Sequence, residues 1–189
     1  MRSTMAAIPL LAACTSGGDS NAFYCNQECA DYYTIRAIDS VHAKVWSSVL
    51  ANQPPGKDGA IPYDNLEIPC ISGSLKVTGT ATPATTGAIE VDLSVVHQGC
   101  QQSDPKQAEG YTITTTGTIA WQGEFSDGGA RDLSYQSPDL TVSGTVVESK
   151  DPTEVDETCT LQVTLTSKSN EDFKFAGAWC QRNIVVPET

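Results

Sequence analysis

Cationic side chains are scarce in this 189-residue chain: eleven Lys and Arg stand against 23 Asp and Glu, a formal net charge of −12. Such a balance repels phosphate backbones and anionic headgroups, so no nucleic-acid partner is expected. Charged residues make up only 18% and aromatics 7%, yet 39% are hydrophobic and no low-complexity tract dominates, which excludes wholesale disorder. Histidine occurs twice, as His42 and His97, and no G-x-S-x-G elbow or other nucleophile signature accompanies either. Short paired cysteine spacings are also missing: only Cys25 and Cys29 stand close, so neither a thiolate metal site nor a cofactor is expected. The length suits about one domain.

What the chain does have begins at its first residue. Met1-Arg2-Ser3-Thr4-Met5 carries one positive charge, and Ala6 to Ala13 is an uncharged apolar run ending in small residues, the layout of a secretory signal peptide. The run is too short to span a bilayer. Its ending, Leu11-Ala12-Ala13-Cys14, resembles the lipobox of bacterial lipoproteins: a branched apolar residue, two small residues and the cysteine that takes the lipid. The polar stretch Thr15-Ser16-Gly17-Gly18-Asp19-Ser20 is similar to the flexible tether of such proteins. The resemblance implies a signal peptide over residues 1–13, a lipidated Cys14 opening a tether over 14–24, and a single exported domain over 25–189. It also implies a place in the cell envelope, at the outer membrane. Each buried acyl CH₂ contributes about 0.8 kcal/mol, so two or three chains on Cys14 hold almost irreversibly where one holds marginally.

From Asn26 to about Ala51 the chain lacks Gly and Pro, and Ile38, Val41, Val45 and Val49 recur at spacings of three and four. This predicts an amphipathic helix. Asn52-Gln53-Pro54-Pro55-Gly56 ends it. Ala30, Thr34 and Ala37 keep part of its surface small enough for close packing. After Pro69 the period falls to two. Leu75, Val77, Gly79 and Ala81 alternate with polar residues, and so do Ile89, Val91, Leu93 and Val95, with a Pro- and Gly-containing connection between the runs. Further alternation involves Tyr111, Ile113, Ile119 and Trp121; Leu140, Val142 and Val146; Leu161, Val163 and Leu165; and Phe173, Phe175 and Trp179. The expected fold is therefore α+β and mainly β: one N-terminal helix on a mostly antiparallel, curved, disulfide-tied sheet of six to seven strands.

Gly79, Gly117, Gly144 and Gly177 each share the parity of their strand's apolar residues. Glycine there loses packing and conformational entropy, which suggests a strand bend or the close approach of another backbone. The expectation is a shallow trough in which the helix lies; chance recurrence in a Gly- and Thr-rich β protein is the alternative.

Seven cysteines are an odd number, and assigning Cys14 to lipid leaves Cys25, Cys29, Cys70, Cys100, Cys159 and Cys180, an even set that fits an oxidising compartment. Cys70 and Cys100 stand equally far from Thr85, and Cys159 and Cys180 are symmetric about Ser169 and Asn170, so two antiparallel hairpins would bring each pair opposite. Cys25 and Cys29 remain, a pair that needs a distorted first helical turn. The alternative is that these two tie the helix to the sheet and break the local pairings.

Few residues are left to carry chemistry. His42 reads as a helix-face residue and His97 as an exposed strand-end residue. Asp127-Gly128-Gly129 with Asp132, and Asp151, Glu154, Asp156 and Glu157, form two acidic stretches read as solvated loops, matching no calcium-binding spacing. Trp46, Trp121 and Trp179 fit the core better than a sugar-binding platform. No catalytic residue is assigned. The expected function is that of a lipid-anchored, non-enzymatic structural or binding module that meets the membrane through its N-terminal lipid. The alternatives are a carrier of an apolar ligand between sheet and helix, and an envelope hydrolase using His97 or the acidic loops.

Overall fold

A computed structural model describes residues 27–52, 59–83, 88–105, 109–126, 131–148, 151–168 and 173–186. The expected signal peptide, Cys14, the tether, Cys25 and Asp127-Gly128-Gly129 lie outside the described residues, as do residues 84–87 and 169–172.

The N-terminal helix is bent into α1 (Gln27–Ser40) and α2 (His42–Ala51). The bend falls where the Ser40 hydroxyl donates to the Ala37 carbonyl at 2.7 Å, a side-chain bond of the kind that competes with the backbone ladder and bends helices. The predicted stripe is the buried one: Ile38, Val41, Val45 and Val49 are all enclosed, as are Ala30, Thr34 and Ala37. Hydrophobic spacing set the face, whereas the bend is a local hydrogen-bonding effect that periodicity does not register.

Eight strands follow: β1 (Ile61–Pro69), β2 (Ser74–Pro83), β3 (Ala88–Pro105), β4 (Glu109–Ser126), β5 (Arg131–Glu148), β6 (Asp151–Ser167), β7 (Phe173–Trp179) and β8 (Arg182–Val186). They pair antiparallel in chain order, β1 to β8, as one meander. The expected six to seven strands become eight. In β1 the register shifts between Tyr63 and Leu66, and Asn65 adopts φ 53°, so the bulge breaks the alternation that would have announced a strand. β8 is only five residues long, too short to display a period. The expected acidic loop at residues 151–157 is instead the first half of β6, paired residue for residue with β5 from Glu148↔Asp151 to Val142↔Glu157.

The helix runs across the strands rather than along them. Asp31 meets Arg182 in β8, Asp39 meets Arg131 in β5, His42 rests on Trp121 and Phe125 in β4, and the Val49 carbonyl accepts the Tyr63 hydroxyl of β1 at 2.9 Å. One helix thereby touches both edges of the sheet. Register shifts in β1–β2, β3–β4, β4–β5 and β5–β6 supply bulges that bend and coil the strands. The glycines add to this. A Cβ on Gly79, Gly144 or Gly177 would lie 2.1 Å from a carbonyl oxygen of the paired strand, and one on Gly117 would meet Asp139 O at 3.1 Å. The backbone that approaches each glycine is the neighbouring strand's.

Two disulfides tie the sheet. Cys70 joins Cys100 across a Cα distance of 5.4 Å, and Cys159 joins Cys180 across 5.0 Å. Neither pair sits in a regular rung. The β2–β3 ladder pairs Pro83 with Ile89, so it is centred one residue beyond Thr85 and its register would set position 70 against position 102 rather than Cys100. Cys70 reaches Cys100 because the segment Ile71-Ser72-Gly73 and the bulge at Gly99 depart from that ladder, held by Ile71 N to Gln101 O at 3.2 Å and Gln101 N to Ser72 O at 2.9 Å. Cys29 is also disulfide-bonded; its expected partner, Cys25, lies outside the described residues.

Candidate functional site

His97 is not the exposed residue expected. It is 1% exposed, on the inner face of β3 beside the bulge that ends at Cys100. His97 Nδ1 and the Thr115 hydroxyl lie 2.7 Å apart in a hydrogen bond, and that hydroxyl is also 3.2 Å from the Cys100 carbonyl. Nε2 is buried and meets no hydrogen-bond partner among the described residues. Burial lowers the His97 pKa to about 4. Its alternation parity with Val95 and Leu93 was the signal of burial in the sequence.

His42 opens α2 and is half-buried. Its ring is stacked on Trp121, and the edge of Phe125 meets it at 4.7 Å. Trp121, Gly123 and Phe125 share one face of β4, and the imidazole packs on the two aromatics. Close by, Arg131 Nη1 donates to Asp39 Oδ1 at 2.9 Å, and the Tyr135 hydroxyl donates to the same oxygen at 3.4 Å. Burial raises the Asp39 pKa against the opposing pull of Arg131, while burial and the Arg131 charge lower that of His42 to about 3. The cluster pins the helix bend to β4 and β5.

A second polar cluster lies at another corner, where α1, β6 and the β7–β8 turn meet, with Arg182 and Glu157 partly open to solvent and Asp31 buried. Arg182 grips Asp31 with two bonds, Nε to Oδ2 at 2.8 Å and Nη2 to Oδ1 at 2.7 Å, the bidentate geometry that guanidinium and carboxylate favour. The same Nη2 donates to Glu157 Oε2 at 2.7 Å, and Trp179 Nε1 donates to that oxygen at 3.1 Å. Those carboxylates raise the Arg182 pKa further above its already high value. Glu157 Oε2 also lies 3.2 Å from Cys180 Sγ. Glu157, Cys159 and Cys180 bring one carboxylate oxygen and two sulfurs within 4.8 Å of one another. Both sulfurs are held in a disulfide, so this trio offers a metal no thiolate. A shallow depression of about 330 Å³, lined by Pro138, Asp139, Thr158, Thr160 and Gln181, opens onto that disulfide.

None of Asp31, Arg131 or Arg182 was singled out by motif. Each nevertheless carried a signal: Asp31 precedes Ile35 and Ile38 by four and seven residues, on the apolar stripe, and Arg131 and Arg182 have the parity of buried Leu133 and Ile184. A charge on a buried parity points to a partner across a seam. Of the acidic candidates, Asp132, Glu154 and Asp156 are exposed on strands, and only Glu157 turns inward to a partner. Trp121 and Trp179 lie in the core, with Trp46 half-buried against Phe125.

On the outer surface of β5 to β8, a second open depression of about 600 Å³ is bordered by Ser134, Gln136, Gln162, Thr164 and Asn183. Among the described residues no helix is long and apolar enough to cross a membrane. No protein-family model, no curated protein and no solved structure matches the chain. Its class is therefore defined by its own geometry, a disulfide-tied antiparallel meander folded against a transverse, bent helix.

Proposed function

We propose that the protein is a lipid-anchored component of the bacterial cell envelope, attached at the outer membrane through Cys14, whose folded part acts without catalysis as a structural or binding module. One observation carries the non-catalytic half: both histidines, the only side chains whose ordinary pKa lies near neutrality, are built into packing and kept neutral, His97 in a strand bulge and His42 on two aromatics. The space between helix and sheet is filled by Ile35, Ile38, Val45, Trp121, Phe125 and Tyr135, which favours a solid module over a carrier of apolar ligands. Support for the anchor is the Leu11-Ala12-Ala13-Cys14 motif and the disulfide-tied domain behind it.

Cell fractionation and intact mass test this directly. Wild-type protein is expected in the outer-membrane fraction, with residues 1–13 removed and acyl chains added, and Cys14→Ser is expected to move it out of the membrane. An unmodified full-length mass would overturn the anchor. A lipid copurifying in native mass spectrometry would replace the solid module with a carrier.

A further inference from the structure

The two described disulfides sit in different surroundings. Cys100 is fully enclosed, with the Gln102 amide nitrogen 3.2 Å from its sulfur, while its partner Cys70 is partly open. Cys159 and Cys180 are both partly open to solvent, at the rim of the depression lined by Thr158, Thr160 and Gln181. Thiol–disulfide exchange needs access for the attacking thiolate and a leaving sulfur that water can stabilise. A thiolate that reaches Cys70 must expel the enclosed Cys100, whereas the second bond is open at both sulfurs.

That bond also holds a turn that does not favour itself. β7 and β8 pair down to Trp179↔Arg182, leaving a two-residue loop of Cys180 and Gln181 with φ of 50° and 64°. Two consecutive left-handed residues make the tight hairpin turn for which Asn-Gly or Gly-Gly is preferred, and a side chain at either position opposes the conformation. Apart from its strand partners, this loop is held by Cys180 N donating to Thr160 O at 3.1 Å and by the bond from Cys180 to Cys159. The next residue is Arg182, which carries the bidentate hold on Asp31 of α1.

We propose that the Cys159–Cys180 disulfide is an exchange site for an external dithiol, and that its reduction releases the β7–β8 turn and with it the contact between Arg182 and α1. The reductant's thiolate attacks one of the two sulfurs and forms a mixed disulfide with it, while the other leaves as a thiolate that takes a proton from water; the Arg182 guanidinium bonded to Glu157 offsets that carboxylate's repulsion of charge on Cys180. The reductant's second thiolate then attacks its own sulfur in the mixed disulfide, and the remaining cysteine leaves as a thiolate that is likewise protonated by water, giving two protein thiols and one oxidised reductant. The Trp179 and Phe175 side chains keep β7 in the core, so the change is confined to the turn, β8 and the first turn of α1. This inference does not depend on the lipid anchor.

The test uses the full oxidised chain under native conditions, titrated with dithiothreitol, quenched with a maleimide and mapped by peptide mass. Cys159 and Cys180 are expected to label at dithiol concentrations at least ten-fold below those that open Cys70–Cys100. Hydrogen exchange should then show protection lost in residues 182–186 and in the start of α1, with β3 and β4 unchanged. Gln181→Gly makes the turn favourable without the bond, so reduction of that variant should leave β8 protected. Opening of Cys70–Cys100 at the same or a lower concentration would overturn the proposal, as would opening of Cys159–Cys180 only with global unfolding. Unchanged β8 protection after reduction, or equal loss in Gln181→Gly, would overturn it too.

Discussion

The imidazole of His42 lies over the indole of Trp121 with ring planes 9° apart and centroids separated by 5.9 Å. Gly123 stands between Trp121 and Phe125, the two aromatics on which this imidazole packs. Gly123 has φ 132°, and a Cβ there would stand 1.9 Å from the Asp132 carbonyl oxygen of the paired strand. Gly123→Ala is expected to destabilise the fold by at least about 1–3 kcal/mol through backbone strain, read as a lowered midpoint in urea. Gly59→Ala, where φ is 99° but the space is open, should lose less.

Acid should weaken the protein through its two histidines. Unfolded, both imidazoles titrate near 6.5; folded, His97 takes its proton only near 4 and His42 only near 3. Between those values the unfolded chain binds more protons, so stability is full above about pH 6.5 and is lost as pH falls toward 4. For His97 the linkage amounts to roughly 3 kcal/mol at its limit. The raised pKa of Asp39 acts oppositely, adding stability as that carboxyl protonates. Urea midpoints measured from pH 7 to pH 4 should decline, and His97→Leu should flatten the slope. An equal slope in that variant would contradict the burial argument.

Removing the Arg182 guanidinium should expose the need for it at Asp31. Arg182→Met leaves a buried carboxylate to which, among the described residues, the Gln27 side chain still donates at 3.0 Å. The expected loss is about 2 kcal/mol, below the roughly 3–5 kcal/mol of fully buried pairs, because the Arg182 side chain is 33% exposed. Adding Asp31→Asn should recover part of that loss in a double-mutant cycle.

The disulfide from Cys70 to the enclosed Cys100 should matter to overall stability. Cys70 and Cys100 are separated by 30 residues, and in the chain-entropy model closing such a loop contributes about 3–4 kcal/mol. Cys70→Ser with Cys100→Ala should lower the thermal midpoint strongly. A small change would indicate that the β2–β3 ladder alone fixes this end of the sheet.

The sequence was informative wherever one physical cause acted on neighbouring residues. Burial of one helix face wrote itself as Ile38, Val41, Val45 and Val49, and burial of one sheet face wrote itself as six alternating runs. Where a second local effect intervened the pattern failed: Asn65 at φ 53° hid β1, and the back-bond from Ser40 to Ala37 placed a bend in an unbroken stripe. The symmetric cysteine spacings pointed to the pairs that join, but the regular ladder does not bring them together; the irregular segments beside Gly73 and Gly99 do so for Cys70 and Cys100.

Composition, hydrophobic period and cysteine count by themselves determined that this is a mainly antiparallel chain with one amphipathic helix and sulfur to cross-link, because each is a property of residues close in sequence. Only the tertiary structure decided that the helix lies across the strands, that His97 is enclosed, and that Arg182 reaches back 151 residues to Asp31. Such contacts depend on the coil of the whole sheet, and no local spacing records how far a sheet has turned.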